Sequence, residues 1–317
     1  MRAVAVLKTG GTPELMELPD PSPAPGEVLV KLSAASVNPL DLGLANGLFE
    51  GHMPHVYPLI LGVDGAGFVA AAGEGVRGLR AGDAVPGQFL RAPIGHGSFA
   101  GYATVPEFPG NGALQLIPDG VPAQIAAALP TAGMTALGAV DAIGPRSGQS
   151  VLIVGATGGV GAFAVQLAAA RGAEVIATAR PDAVRWMRAL GAAQTADYTD
   201  GGIAGQIRKI HPGGIDALLD LTHDPARFAE YAALVRDGGI ALSITFAATP
   251  ELLASQRITV TNFVMCDKPD LLARITTDAV TGRITVPIQR TVTLDEVPGT
   301  LARTAAGGAR GKTAVRI

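Results

Sequence analysis

The pattern of apolar positions changes character along the chain. In the first third, short apolar or alternating runs at 2–7, 27–37, 65–73 and 98–106 are separated by turn clusters such as PDPSPAPGE and GEGVRGLRAGD. Runs of this length, with no helical spacing between them, predict short β-strands forming a barrel-like domain. Around 116–144 (LIPDGVPAQIAAALPTAGMTALGAVDAIG) alanine and leucine fall at helical spacing, and PDGVP marks the boundary. From 151 onward, strand-length apolar runs at 151–155, 174–179, 194–198, 215–221, 239–245 and 258–264 alternate with helical stretches such as 159–172 and 181–191. That alternation predicts a parallel sheet covered on both faces. The chain closes with a helical stretch and strands (ITVPIQRTVTL, GKTAVRI) expected to rejoin the first domain. The expected division is 1–120 for the first β part, 121–257 for the α/β part and 258–317 for the return.

The most informative stretch is VLIVGATGGVGAFAVQLAAARGAEVIATAR, residues 151–180. It reads as strand, glycine turn, helix and second strand, the context a dinucleotide fingerprint requires. Ala156 stands where the first glycine makes the tight turn. Gly158, with no Cβ, lets a pyrophosphate approach the backbone, and Gly161 lets helix and strand pack closely. Thr157, Gly159 and Val160 complete the turn, and the helix start offers free N–H groups and a positive dipole end to phosphates. About 20 residues further on, an NAD site places Asp or Glu against the ribose 2′-hydroxyl. This chain has Arg180 at the strand end. A guanidinium clasps a 2′-phosphate with paired hydrogen bonds, so the expected cofactor is NADPH. The alternative is a solvated Arg180 with Asp182 taking the NAD-type role.

Composition narrows the picture. With 317 residues, 48% hydrophobic, 16% charged and a net charge of −3, the chain is neither disordered nor built for nucleic acid or an anionic membrane surface. Its one cysteine, Cys266, excludes an internal disulfide and a zinc site of several thiolates; it is expected to be buried and inert. The opening MRAVAVLKTGG lacks a signal pattern and no membrane-length apolar window appears, so the expected compartment is the cytoplasm.

The blocks PAPGEVLVKLSAASVNPLDL (23–42), LILGVDGAGFVAAAGEGV (59–76), AALPTAGMTALGAV (127–140), the glycine stretch, LGAAQTADYTD (190–200), VRDGGIALSI (235–244) and ARGKTAVRI (309–317) together resemble the zinc-independent quinone oxidoreductases of the medium-chain dehydrogenase/reductase superfamily. The resemblance spans nearly the whole chain. It implies a Rossmann doubly wound parallel sheet inserted in a GroES-like β-barrel domain, and NADPH-dependent hydride transfer to a quinone or an α,β-unsaturated carbonyl. Zinc relatives carry a cysteine after the second strand and a His-Glu pair before the glycine turn. Here Ser36 to Asn38 and GVDG stand instead, so no metal is expected.

By the same resemblance Asn38 and Asp41 match catalytic positions, Asn38 as a donor to the carbonyl that gains charge and Asp41 as a brace for its loop. Thr131, Thr135, Tyr198, Ile244, Phe263 and Lys312 match cofactor-binding positions. Two tyrosines common in the family are absent, Gly43 and Phe49 standing in their places. The usual serine and lysine at the 2′-phosphate are replaced by Arg180 and Ala183. A small-molecule substrate and a homodimer through strands of the nucleotide domain are expected. The competing expectation is a non-catalytic NADPH-binding protein with a structural or regulatory role.

Overall fold

The structure is a computed structural model describing residues 1–317 except Asp119, Gly308 and Ala309. One residue of the expected boundary turn at 118–122 and the first of the closing block 309–317 therefore lie outside the described residues. The chain divides into two compact units: Met1–Met134 with Asp267–Ile317, and Thr135–Cys266. Among the described residues no helix is long and apolar enough to cross a membrane.

The first unit is mostly β. Its strands are β1 (Arg2–Val6), β2 (Glu14–Glu17), β3 (Glu27–Val37), β4 (His55–Ile60), β5 (Asp64–Ala72), β6 (Ala84–Gln88), β7 (Ile94–His96), β8 (Tyr102–Pro106) and β9 (Ala113–Leu114). The second unit contributes β10 (Ser150–Val154), β11 (Glu174–Thr178), β12 (Gln194–Ala196), β13 (Ile215–Asp220), β14 (Val235–Ser243) and β15 (Thr259–Asn262), and the chain returns to the first unit with β16 (Ile288–Thr293) and β17 (Lys312–Arg316).

In the first unit a sheet of order β2-β1-β4-β7 accompanies a larger one of order β16-β17-β3-β5-β6-β9, with β8 also on β3. β3 organises it. Over 27–31 it pairs with β8, over 34–37 with β17, and along most of its length with β5. Its side chains alternate at first, with Val28, Val30 and Leu32 buried. From Ala34 to Val37 every residue is buried, because both faces are then covered. Two registers matter for the site. Ser36 lies opposite Asp64 on β5, and Val37 lies opposite Thr313 on β17. Lys312 therefore lies next to Asn38.

Several strands escape the apolar pattern for identifiable reasons. β4 and β6 contain Pro58 and Pro86, which read as strand breakers. The run expected at 98–106 is a strand only from Tyr102, with a single bridge, Ala3 to Ala100, before it.

The second unit is a six-stranded parallel sheet of order β12-β11-β10-β13-β14-β15. All five residues of β10 are buried, as a central strand covered on both faces demands. β14 begins at Val235, earlier than the expected 239, because Arg236, Asp237 and Gly238 are exposed and carry no apolar signal. The chain leaves β10 for β11 on one side and reaches β13 on the other. The carboxyl ends of β10 and β13, Val154 beside Asp220, thus flank a topological switch point.

Candidate functional site

The glycine turn follows β10 directly. Gly155 takes φ +79°, a left-handed conformation natural to glycine, and its N–H donates to Thr178 Oγ1 on β11 at 3.0 Å. The helix Gly159–Ala170 begins after Gly158, whose backbone is extended and which offers no side-chain cap. The first helical N–H groups are therefore available to an anion. A Cβ on Gly161 would lie 2.4 Å from Gly155 O and 2.6 Å from Ala156 Cα, so the turn closes only around glycine. Ala156 is buried, while Thr157, Gly158, Gly159 and Val160 are partly accessible.

Arg180 lies just beyond β11 and is exposed, its guanidinium carbon 5.7 Å from the ring centroid of Tyr198. An arginine held over an aromatic face is pre-oriented, with its N–H edge left for an acceptor. Asp182 is also exposed, inside the short 3-10 turn Pro181–Ala183. Ile244 and Phe263 are half-buried beyond β14 and β15. Their N–H groups donate to Asp220 O at 3.2 Å and Ser243 O at 2.7 Å. At the end of β13, the buried Asp220 accepts from the N–H and hydroxyl of Thr222, both at 2.7 Å, with one oxygen. Its Oδ2 has no partner among the described residues, and burial pushes its pKa up.

The first unit gathers a buried polar cluster. Asp41 is fully buried and accepts the Asn38 N–H at 2.7 Å and the Val63 N–H at 2.8 Å, bracing the loop after β3. Burial pushes its pKa up to about 7 against those two bonds, and the nearby Asp64 charge adds to the rise. Asn38 is 4% exposed. Its Nδ2 donates to Asp64 Oδ2 at 2.9 Å and to Ser36 O at 3.2 Å, and its Oδ1 accepts from Lys312 Nζ at 2.6 Å. Both amide hydrogens are thus committed inside the chain, whereas the sequence reading kept one for a substrate carbonyl.

Lys312 is buried at 2% exposure, with Nζ also donating to Val37 O at 3.2 Å and standing 3.6 Å from Asp64 Oδ2. Burial pushes Lys312 down and Asp64 up, and each charge holds the other against that drift. Thr131 donates its hydroxyl to Asp64 Oδ1 at 2.6 Å and accepts from Gln88 Nε2 at 2.7 Å; Gln88 in turn accepts from Lys268 Nζ at 3.0 Å. Thr135 lies one turn further along the helix Pro130–Ile143.

Asp64, Gln88, Lys268 and Asp220 were not singled out from sequence. Asp64 sits in GVDG, where zinc relatives carry the His-Glu pair. Cys266, expected to be buried, is exposed. Among the described residues no three His, Cys, Asp or Glu side chains converge as a metal would need. At Asp64 the neighbours are a hydroxyl, an amide and an ammonium, which do not fit a zinc donor set.

Comparison with known proteins agrees with this architecture. Residues 24–119 match the family described as alcohol dehydrogenase GroES-like domain, and residues 159–272 match zinc-binding dehydrogenase. A mitochondrial NAD(P)H oxidoreductase of Mus musculus is 31% identical over 92% of this chain and 82% of its own length. A chloroplast envelope quinone oxidoreductase homolog of Arabidopsis thaliana is 36% identical over 58% of this chain, and the match spans only 56% of that protein. Among solved structures, an NAD-dependent alcohol dehydrogenase superposes with TM-score 0.87 at 28% identity, covering 100% of both chains. A mycobacterial protein complexed with NADPH superposes at 0.84 with 25% identity, again covering 100% of both. The fold is a GroES-like β domain carrying a Rossmann sheet within its sequence. The chain belongs to the medium-chain dehydrogenase/reductase superfamily, in its quinone oxidoreductase-like group.

Proposed function

We propose that the chain is an NADPH-dependent reductase that delivers hydride, without zinc, to a quinone or an α,β-unsaturated carbonyl. The observation that carries the choice of cofactor is Arg180, just past the end of β11 and stacked against Tyr198, where an NADH site would present a carboxylate. A 2′-phosphate would be held by that guanidinium. The diphosphate would lie against Gly158 and the first turn of the helix Gly159–Ala170, with Gly161 keeping the turn closed. Thr131, Thr135, Ile244, Phe263 and Lys312 are assigned to the cofactor on the family resemblance.

A bound nicotinamide supplies the hydride. The chain contributes binding, orientation and a fixed electrostatic field. Asp41 braces the loop that carries Asn38. The Lys312 ammonium, with the Asn38 Oδ1 turned toward it, supports the assignment of this lysine to the cofactor, and a fixed positive charge of this kind would favour an oxygen that gains electrons. The donor set around Asp64 supports a reaction run without a Lewis-acid metal, and such a reaction favours an acceptor already activated by conjugation. The outer strand β15 is the edge through which a homodimer would form.

The test is calorimetric titration with NADPH and NADH, followed by NADPH oxidation with a panel of quinones and enals. Tighter NADPH binding with turnover of one class supports the reading. Equal binding of the two coenzymes overturns the cofactor assignment. Tight NADPH binding with no turnover of any acceptor replaces the reductase by the non-catalytic NADPH-binding protein.

A further inference from the structure

One carboxylate holds three of the residues assigned to this site. Asp64 Oδ2 accepts from Asn38 Nδ2 at 2.9 Å and from Ser36 Oγ at 3.3 Å, and faces Lys312 Nζ at 3.6 Å. Its Oδ1 accepts from the Thr131 hydroxyl at 2.6 Å and the Thr131 N–H at 3.0 Å. The side chain is wholly shielded from water. A carboxylate and an ammonium so deeply buried are retained only with good geometry and full hydrogen bonding, and removing one strands the other.

The three partners arrive from separate parts of the first unit. Asn38 follows β3, Lys312 opens β17, and Thr131 lies in the first turn of the helix Pro130–Ile143. The Thr131 N–H is one of the helix's leading donors, which have no acceptor within the helix, so Asp64 caps this end with a negative charge. Asp64 also decides an orientation. An ammonium only donates and a carboxylate only accepts. With Lys312 on one side and Asp64 on the other, the Asn38 amide has a single satisfied setting, Oδ1 toward Lys312 and Nδ2 toward Asp64.

We infer that Asp64 is the positioning residue of this site: it sets the Asn38 amide, the Thr131 hydroxyl and the Lys312 ammonium in their working directions from a place where no substrate touches it. The functional part rests on the reductase reading; the orientation of the three groups does not.

The experiment compares wild type, Asp64→Asn and the double variant Asp64→Asn/Lys312→Met, which removes both charges and so leaves no stranded ammonium. The first readout is exchange of the Asn38 side-chain amide hydrogens, followed by ¹H–¹⁵N NMR. They should be protected in wild type and lose protection in both variants, while circular dichroism stays native for the double variant. Unprotected Asn38 hydrogens in wild type, or protection unchanged in a folded variant, would overturn the inference.

The second readout is kinetic, with 1,4-benzoquinone as acceptor. In Asp64→Asn, which keeps Lys312 and Thr131, loss of orientation should lower kcat roughly tenfold to a hundredfold, while the Kd for NADPH changes far less. A kcat that is unchanged in a folded variant contradicts the positioning role. If wild type turns over no acceptor, the reductase reading fails, and amide exchange still decides whether Asp64 sets the cluster.

Discussion

Lys312 Nζ sits 2.6 Å from Asn38 Oδ1, joining side chains 274 positions apart in sequence. The bond is buried, and the ammonium faces Asp64 with Asp41 also close enough to act on its charge. Lys312 thus stands among two fully buried carboxyl groups, and Lys268, hydrogen-bonded to Gln88, brings a second positive charge that acts on Asp64.

Replacing Lys312 with Met therefore removes the ammonium that faces Asp64 and acts on Asp41, leaving the Lys268 charge to act on Asp64. The expected loss is about 3 kcal/mol of stability at pH 8, the scale for breaking a buried pair. The loss should shrink at pH 5, where protonation relieves the stranded carboxylates. Urea unfolding midpoints of wild type and variant at the two pH values check this.

Asp41 gives a pH dependence of its own. Its carboxyl titrates near 3.8 when unfolded and is pushed up to about 7 in the fold, chiefly by burial. Between those values the folded chain holds a proton that the unfolded chain has released, so this group's contribution falls as pH rises through the window and is lowest above about 7. The expected fall is a few kcal/mol. Asp41→Asn, which cannot ionise, should flatten that slope, while losing one of the two acceptors for the Asn38 and Val63 N–H groups. Thermal midpoints from pH 4.5 to 8 in both proteins measure the difference.

Arg180→Ala should weaken NADPH binding roughly tenfold to a hundredfold, the worth of charged hydrogen bonds to a phosphate. Binding of NADH should stay nearly constant. Isothermal titration of both coenzymes separates the two effects, and equal weakening would show that Arg180 supports the fold instead of the phosphate.

At Gly161 an added methyl group meets backbone atoms, Gly155 O at 2.4 Å and Ala156 Cα at 2.6 Å, neither of which can swing aside. Gly161→Ala is expected to cost about 1–3 kcal/mol and to weaken binding of NADPH and NADH together, because the diphosphate turn is shared. Thermal shift with and without coenzyme tests both halves.

The features legible in the sequence are those that arise locally. The strand–turn–helix of 151–170 announces itself because the glycines, the apolar strand and the alanine-rich helix are contiguous, and the parallel sheet follows from the alternation after it. The β strands containing Pro58 and Pro86 were hidden because proline signals a break wherever it falls. Asp64 was hidden for a different reason. Between glycines, in GVDG, an aspartate reads as turn chemistry. Its importance comes from β3, β17 and a helix start converging on it. Asn38 was picked out by resemblance, but its commitment to Lys312 and Asp64 depends on strand registers that no local pattern reveals.

The pairing of β17 with β3 bears on biosynthesis. The Val37 carbonyl that receives Lys312 is translated 275 residues before it, so on the ribosome the polar cluster stays incomplete after the intervening Thr135–Cys266 unit, contiguous in sequence, has been made in full. A nascent chain halted before residue 312 would expose an unpaired edge of β3 and leave Asp64 without the Lys312 ammonium, which makes that species the natural target of chaperones and proteases.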